Sequence, residues 1–273
     1  MSKGYLLFAL ESSGTHYCRL AYACALTIKL TQPKGYNNVS VVTNDQGYFN
    51  SDIFDYIIPA GPLTGMDARS RAYDLSPYDE TVLLDSDMLF LQPVDHYWDL
   101  VKDLDLFVAS CPQTYNKQSF KHGYYRRVFS DNFWPDVYSA WTYYKQSDTA
   151  RKFFNLVKLI TDNPGEFIDH LIPTSGLATM PTDEAFAMAI AILDIAEQTV
   201  FPQWGWPRIT HMKPAMQKFE DNTSDWHDKL RFLLDTRGQV KLGVWQQTDI
   251  LHYVKKELIT PTVVKTLEAA YDR

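Results

Sequence analysis

The first 110 residues alternate short apolar runs with longer amphipathic stretches. Short runs rich in branched residues are typical of buried strands, and they occur here at 5–9, 39–43, 54–58 and 82–84. Helices are predicted from His16 to about Leu30, with Thr15 as a cap, and over 67–73. This alternation predicts an α/β fold in which helices flank a mixed, mostly parallel sheet.

The second half of the chain is less regular. Helices are predicted over 149–161, from Asp183 to about Glu197 with Thr182 as a cap, more weakly over 225–234, and from Pro261 after Thr260. Strands are predicted at 105–110, 137–144 and 250–254. No linker-like segment interrupts the pattern, so we expect a single domain over 1–273.

Composition narrows the class of protein. The chain has 273 residues, of which 45% are hydrophobic and 22% charged, as in a globular protein. The net charge of -7 argues against general nucleic-acid binding. Three cysteines (Cys18, Cys24 and Cys111) without a C-x-x-C pair argue against a disulfide framework or a zinc site, and they favour a cytoplasmic location. The sequence predicts neither a signal peptide nor a membrane span.

Two carboxylates follow the predicted strand at 82–84. Asp85 and Asp87 stand two residues apart within ETVLLDSDMLFL, between apolar residues on both sides. Ionised carboxylates are costly to bury without a partner, and a divalent metal such as Mn²⁺ or Mg²⁺ supplies one. The alternative is a pair of solvated turn residues. Asp103 and Asp105 form the same bare D-x-D pattern, which shows that the spacing alone has low specificity.

The flanks of this motif carry a resemblance. The segment SPYDETVLLDSDMLFLQPVDHYWDL (76–100) resembles the D-x-D segment of GT-A glycosyltransferases, most closely the glycogenin-like and bacterial galactosyltransferase-like branch. The resemblance implies a Rossmann-like GT-A fold, with a nucleotide-binding half over 1–110 and an acceptor-binding half over 111–273. It also implies metal-dependent transfer of a hexosyl or pentosyl group from a nucleotide-diphosphate sugar, with UDP as the nucleotide, to an acceptor hydroxyl.

The resemblance assigns donor contacts in the first half. Tyr17 matches a tyrosine that lies on the nucleotide base, although a tyrosine at a helix start also packs in a core. Arg69 stands where the family places a basic donor contact, and Arg71 is a rival two residues away. A guanidinium there would make forked bonds to phosphate or sugar oxygens, whereas the alternative is a surface ion pair. The resemblance also implies donor contacts at Asp85 and Ser86.

In the second half, Asp183 and Glu184 resemble an Asp-Gln pair near the donor sugar. Because Glu184 departs from that pattern, the stereochemical outcome stays open, and the two acidic residues also suit a helix N-terminus on structural grounds alone. His252 and His211 compete as the third metal ligand, and order along the chain favours His252. Lys255 or Lys256 then matches the family lysine that contacts the diphosphate.

The acceptor is suggested by a basic and aromatic stretch, 115–127. Lys117, Lys121, Arg126 and Arg127 alternate there with aromatic residues, a combination that binds phosphates and stacks on bases. DNA with hydroxymethylated bases is one candidate acceptor, whereas the other interpretation of the stretch is an ordinary solvated loop. Glycan-directed and lipid-directed transfer remain alternatives, as does a non-catalytic module that binds sugar or nucleic acid. A nucleotidyltransferase is less favoured, because no glycine-rich phosphate loop follows the first strand.

Overall fold

The computed structural model describes residues 1–49, 51–110, 112–117, 126–172, 180–212, 230–253 and 255–273. Its strands are β1 Lys3–Ala9, β2 Val39–Thr43, β3 Tyr56–Pro59, β4 Glu80–Leu84, β5 Met88–Phe90, β6 Leu106–Val108, β7 Trp141–Lys145, β8 Ile209–His211, β9 Phe232–Leu234, β10 Val240–Leu242, β11 Trp245–Gln246 and β12 Ile250–His252. Its α-helices are α1 Tyr17–Thr31, α2 Ala72–Leu75, α3 His96–Val101, α4 Arg127–Asp131, α5 Asp148–Asp162, α6 Pro164–Leu171, α7 Thr182–Leu193, α8 Ala196–Thr199 and α9 Pro261–Tyr271.

The main sheet has six strands in the order β3-β2-β1-β4-β7-β6. Strands β3, β2, β1 and β4 are parallel, whereas β7 runs antiparallel to both of its neighbours. The predicted α/β class with a mixed sheet is therefore confirmed. Because β1 and β4 end at the same edge, the residues that follow them are brought together there.

Helices cover both faces of this sheet, as the side-chain alternation along β1 requires. Tyr5 and Leu7 face a core layer that includes the buried residues of α1 and α9. Leu6 faces the opposite layer, with α5 and α7. The hydroxyl of Ser147 accepts a hydrogen bond from the backbone N–H of Ala150, which fixes the start of α5 as an N-cap does.

A second sheet of three strands, β5-β12-β8, lies next to the end of β4. The chain leaves β4 at Leu84, passes through 85–87 and enters β5, which pairs antiparallel with β12. In this register Met88 lies opposite His252, so His252 is brought beside Asp87. A third small sheet, β11-β10-β9, follows along the chain before β12.

Several element boundaries differ from those predicted. Helix α7 ends at Leu193, because Asp194 adopts a left-handed conformation with φ 54°, so the helix does not continue to 197. Neither Thr15 nor Thr182 caps a helix with its side chain, whereas Thr260 does cap α9, with Pro261 in the first turn. The helix predicted over 225–234 is wrong at 232–234, which form β9; residues 225–229 lie outside the described residues.

Strand β7 begins four residues later than predicted, at Trp141. Residues 137–140 therefore form a connection that enters the sheet, and their polar groups are available to bond other elements. Among the described residues no helix is long and apolar enough to cross a bilayer. Cys18 and Cys24 are buried and carry free thiols.

Candidate functional site

Three potential metal ligands meet where β4 ends. Asp85 and Asp87 follow β4, and His252 is the last residue of β12. One potential ligand atom from each of the three residues lies within 4.8 Å of the other two. Nε2 of His252 is 3.1 Å from Oδ2 of Asp87 and 3.7 Å from Oδ2 of Asp85. Two carboxylates and one imidazole form a donor set that suits a divalent cation such as Mn²⁺.

Each carboxylate also has a cationic partner from the protein. Arg69 is hydrogen-bonded to Oδ1 of Asp85, and Lys256 donates to Oδ2 of Asp87. Burial would raise the pKa of the Asp87 carboxyl, but attraction and hydrogen bonds from His252 and Lys256 hold that pKa well below its usual range. Asp87 is therefore ionised at neutral pH, as a metal ligand must be.

The structure separates the two candidate arginines. Arg69 is 8% exposed, and its guanidinium also donates to the backbone carbonyl of Ser139 at 2.8 Å. Burial lowers the pKa of Arg69 to about 10, so the side chain stays charged at neutral pH. Arg71 instead pairs with Asp74 at 3.2 Å on the surface. Of the two, Arg69 is the one that lines the cleft at the metal-ligand cluster.

Asp183, at the start of α7, is held in place by three hydrogen bonds. Its Oδ1 accepts from the backbone N–H of Ser139 at 2.8 Å and from the Ser139 hydroxyl at 2.6 Å. Its Oδ2 accepts from Nη1 of Arg126 at 2.9 Å. Burial acts to raise the pKa of Asp183, but the charge of Arg126 and the bonds from Ser139 outweigh it and lower that pKa.

Arg126, one of the predicted acceptor contacts, is buried and paired with carboxylates. Its side chain is 2% exposed and also bonds to Asp136 and to the carbonyl of Val137. A guanidinium buried among two carboxylates cannot reach a phosphate on an incoming acceptor. In this structure Arg126 supports Asp183.

The four predicted basic acceptor contacts are thus not equivalent. Lys117 donates from Nζ to the hydroxyl of Thr248 at 2.9 Å, and burial lowers its pKa. Arg127 is mostly exposed and lies 3.7 Å from Asp131. Lys121 lies outside the described residues. Of these four, Lys117 and Arg127 remain as described candidates.

Tyr138 connects the two candidate histidines, and the sequence analysis did not single it out. Its hydroxyl is hydrogen-bonded to Nδ1 of His252 and to Nδ1 of His211. These histidines lie opposite each other on the parallel strands β12 and β8, with ring centroids 4.8 Å apart. Of the two, His252 is the one that lies within the group of potential metal ligands.

Two further polar residues in the cleft were missed. Glu11 follows β1, and its carboxylate accepts from the backbone N–H of Cys18 at 2.6 Å, in the first turn of α1. The side chain of Asn44, after β2, bonds to both the backbone N–H and the carbonyl of Glu11. Polar residues directly after neighbouring parallel strands are the signal that would have found them.

The three potential metal ligands share one cleft of about 640 Å³ with Glu11, Asn44, Arg69, Tyr138, Asp183 and His211. That volume suits a ligand with several rings and charged groups. Tyr17, Ser86, Glu184 and Lys256 line the cleft, whereas Lys255 does not. Tyr17 is half-buried, Glu184 is 6% exposed, and the hydroxyl of Ser86 donates to the carbonyl of Phe8 at 2.5 Å.

No protein-family model and no curated protein matches the chain. What the protein does is therefore inferred from the side chains of the cleft, from the order of the strands and from the residues around the D-x-D motif.

Proposed function

We propose that the chain is a GT-A glycosyltransferase that transfers a sugar from a uridine diphosphate sugar to an acceptor hydroxyl with the help of Mn²⁺ or Mg²⁺. One observation carries the proposal. Asp85, Asp87 and His252 come from two sheets and meet at the carboxyl end of β4, inside a cleft large enough for a nucleotide sugar. Ligands bind at this end of open α/β sheets.

The order of the strands supports the same proposal. The parallel strands β2, β1 and β4 have their carboxyl ends at the cleft, and an antiparallel β7 extends the sheet beyond β4. This arrangement suits a GT-A fold, in which a nucleotide lies over the parallel half. Tyr17 and Asn44 follow β1 and β2 and line that part of the cleft.

The donor set fits the implied ion. Asp87 is 6% exposed, and a carboxylate buried to this extent needs positive charge close by. Asp85, Asp87 and His252 would hold the ion, with Tyr138 behind His252. The ion supplies Lewis-acid stabilisation of the negative charge that develops on the departing diphosphate.

The remaining roles belong to side chains of the chain itself. Arg69 and Lys256 are cationic groups beside the carboxylates, and they would bind the oxygens of the diphosphate. Asp183, fixed by Ser139 and Arg126, would accept hydrogen bonds from the sugar hydroxyls. Glu184, the next residue on α7, would face the reacting carbon. The bond from that carbon to the diphosphate breaks, a bond to the acceptor oxygen forms, and the acceptor proton leaves with the diphosphate.

We propose a hydroxymethylated base in DNA as one acceptor. Among the described residues, Lys117 and Arg127 would be its basic contacts. A base buried in a duplex would have to be flipped out to reach the donor, at a cost of a few kcal/mol. A glycan or a lipid-linked sugar would need no such step.

A panel of nucleotide sugars tests the proposal. Thermal unfolding is followed with each donor, with and without Mn²⁺, and release of labelled sugar is then measured for the donors that stabilise the protein. We expect a stabilising shift for a uridine diphosphate sugar only when Mn²⁺ is present. Binding without any transfer or slow hydrolysis would point to a non-catalytic sugar-binding module. No donor-dependent shift would contradict the proposal.

A further inference from the structure

Tyr138 places one hydroxyl between two imidazoles. Nδ1 of His252 and Nδ1 of His211 are both hydrogen-bonded to this hydroxyl, and the Tyr138 side chain is 2% exposed. The hydroxyl carries a single proton, so it donates to at most one of the two nitrogens. The other nitrogen must then be the donor in its own hydrogen bond with the oxygen. The protonation pattern of one histidine is thereby linked to that of the other.

We propose that Tyr138 is a positioning residue that gives the two histidines opposite tautomers, so that His252 binds the metal and His211 does not. The inference deepens the proposed function and rests on the metal site described above. It assigns a role to Tyr138 and an explanation to His211, whose ring lies 4.8 Å from that of a metal ligand without belonging to the ligand cluster.

The assignment begins at His252. Its Nε2 faces Asp87 and Asp85, so a metal held with these carboxylates is bound through Nε2. A nitrogen that binds a metal carries no proton, and the ring proton of a neutral imidazole is then on Nδ1. Nδ1–H of His252 consequently donates to the oxygen of Tyr138. Such an outer bond fixes the ring and increases the basicity of the ligand.

The proton of Tyr138 completes the assignment. With His252 as the donor, the hydroxyl donates its own proton to Nδ1 of His211. Nδ1 of His211 is then an acceptor, and its ring proton is on Nε2. A protonated ring nitrogen has no lone pair to offer, so His211 cannot become a fourth protein ligand. Asp85, Asp87 and His252 would then be the three protein ligands of the ion, and its other positions would be left to phosphate oxygens and water.

The connection formed by residues 137–140 also bonds to Arg69 and Asp183, which line the same cleft. Ser139, the residue after Tyr138, accepts from Arg69 through its carbonyl and donates twice to Asp183. A change at Tyr138 therefore has to leave its ring in place to be informative. Tyr138→Phe meets this condition, because the ring contacts with His211 and His252 at 5.0 and 5.9 Å between centroids are kept.

The first test measures Mn²⁺ affinity by calorimetry for the 273-residue chain. Tyr138→Phe should weaken Mn²⁺ binding about 10- to 100-fold, the usual effect of removing a partner of a metal-ligating histidine. Tyr143→Phe is the matched control. It removes a hydroxyl that donates to Glu80 at 2.7 Å from an equally buried tyrosine outside the cleft, so Mn²⁺ affinity should stay unchanged. Equal affinities for the wild type and Tyr138→Phe would overturn the inference.

The second test measures the tautomers directly on the wild-type protein. Variants are used only to assign the signals. ¹⁵N-histidine spectra are recorded on the wild type with Zn²⁺, which is diamagnetic and accepts carboxylate and imidazole ligands. His252 should carry its proton on Nδ1, and His211 should carry its proton on Nε2 with no shift caused by the metal. His211→Gln and His252→Gln assign the signals.

The outcomes separate this inference from the proposed function. If metal binds through His252 but His211 also ligates, or carries its proton on Nδ1, the role of Tyr138 is wrong and the metal site stands. If no metal binds the wild type, both fail. If metal binds with the expected tautomers but no nucleotide sugar is used, the role of Tyr138 stands and the proposed transfer fails.

Discussion

Lys256 donates a hydrogen bond to Oδ2 of Asp87, the same oxygen that lies 3.1 Å from Nε2 of His252. The two residues are 169 positions apart in the chain. A metal ion bound by Asp87 and His252 would meet the ammonium group of Lys256 at the oxygen that it needs. Two positive charges that share one carboxylate oxygen repel each other, so Lys256 and a bound ion would compete for Asp87 until an anion separated them.

This competition predicts opposite effects of one substitution. Lys256→Met should tighten Mn²⁺ binding in the absence of nucleotide by about tenfold, or ~1.4 kcal/mol, because the competing charge is gone. It should weaken UDP binding in the presence of Mn²⁺, because a cation for the diphosphate is lost. Both affinities are measured by calorimetry. Lys255→Met, next in the chain but outside the cleft lining, should change neither. A Lys256→Met protein that binds Mn²⁺ more weakly would show that no such competition exists.

The second prediction concerns the carboxylates themselves. Asp87→Asn should abolish Mn²⁺-dependent donor binding and turnover while the protein stays folded, because a neutral amide is a much poorer ligand for a hard cation. Asp103→Asn provides the control, since Asp103 belongs to the second D-x-D pattern, is exposed and does not line the cleft. Thermal unfolding with and without Mn²⁺ measures binding, and release of labelled sugar measures turnover. Full activity of Asp87→Asn at saturating Mn²⁺ would refute the metal assignment.

The third prediction distinguishes the two histidines. His252→Ala should weaken Mn²⁺ binding by well over tenfold, because it removes a ligand, whereas His211→Ala should cause a smaller loss through the bond to Tyr138. Calorimetric titration of each variant with Mn²⁺ measures the difference. If His211→Ala is the more damaging change, the ion lies nearer to β8 than the ligand cluster indicates.

Comparison of the sequence with the structure shows which relationships local patterns can predict. Asp85 and Asp87 were identified because a buried strand ends directly before them, a signal contained within twelve residues. The histidine that lies beside these two carboxylates depends on the antiparallel register of β5 and β12, which sets His252 opposite Met88. No local pattern encodes such a register. Order along the chain, through the resemblance, suggested His252 but did not exclude His211.

Arg126 and Tyr138 show which roles a local sequence pattern does not predict. Arg126 stands among basic and aromatic residues, a pattern that predicts an acceptor contact, but its partner Asp183 is 57 residues away. Tyr138 stands in an aromatic stretch that reads as a strand, and the strand begins only at Trp141. In both cases a long-range polar contact determines the role of the side chain, and periodicity carries no information about that contact.

The fourth prediction follows from the burial of Arg126. Arg126→Met should lower the free energy of unfolding by about 3 kcal/mol at pH 7, because it leaves Asp183 ionised without its cation. Arg127→Met, one position along, removes an exposed pair with Asp131 and should cost less than ~1 kcal/mol. Urea denaturation measures both. A loss of similar size in the two variants would contradict the supporting role of Arg126.

The pH dependence of this loss has a definite sign. In the wild type the pKa of Asp183 is lowered, so its pairing stabilises the fold above the ordinary carboxyl pKa of about 4 and is lost as the pH falls through the folded-state pKa. In Arg126→Met, acidification protonates the buried carboxyl of Asp183 and so removes its unpaired charge. The difference in unfolding free energy between the two proteins should therefore be largest near neutral pH and should shrink as the pH is lowered towards 3. A difference that grows on acidification would exclude the ion pair as its cause.

The last prediction concerns the acceptor. If DNA is the acceptor, the logarithm of its binding constant should fall linearly with the logarithm of salt concentration, with a slope of about -0.9 per phosphate contacted by the protein. Replacing Lys117 and Arg127 by Met should reduce the magnitude of that slope by about 1.8 and weaken binding to every sequence alike. Slow hydrolysis of the nucleotide sugar by water should be unaffected, because neither residue lines the donor cleft.

Lys152→Met, an exposed change on α5, is the control and should leave the slope as it is. A wild-type protein whose binding to duplex and single-stranded DNA shows no salt dependence would exclude the DNA acceptor, and an uncharged hydroxyl-bearing acceptor such as a glycan would be favoured, since its binding needs no release of counterions.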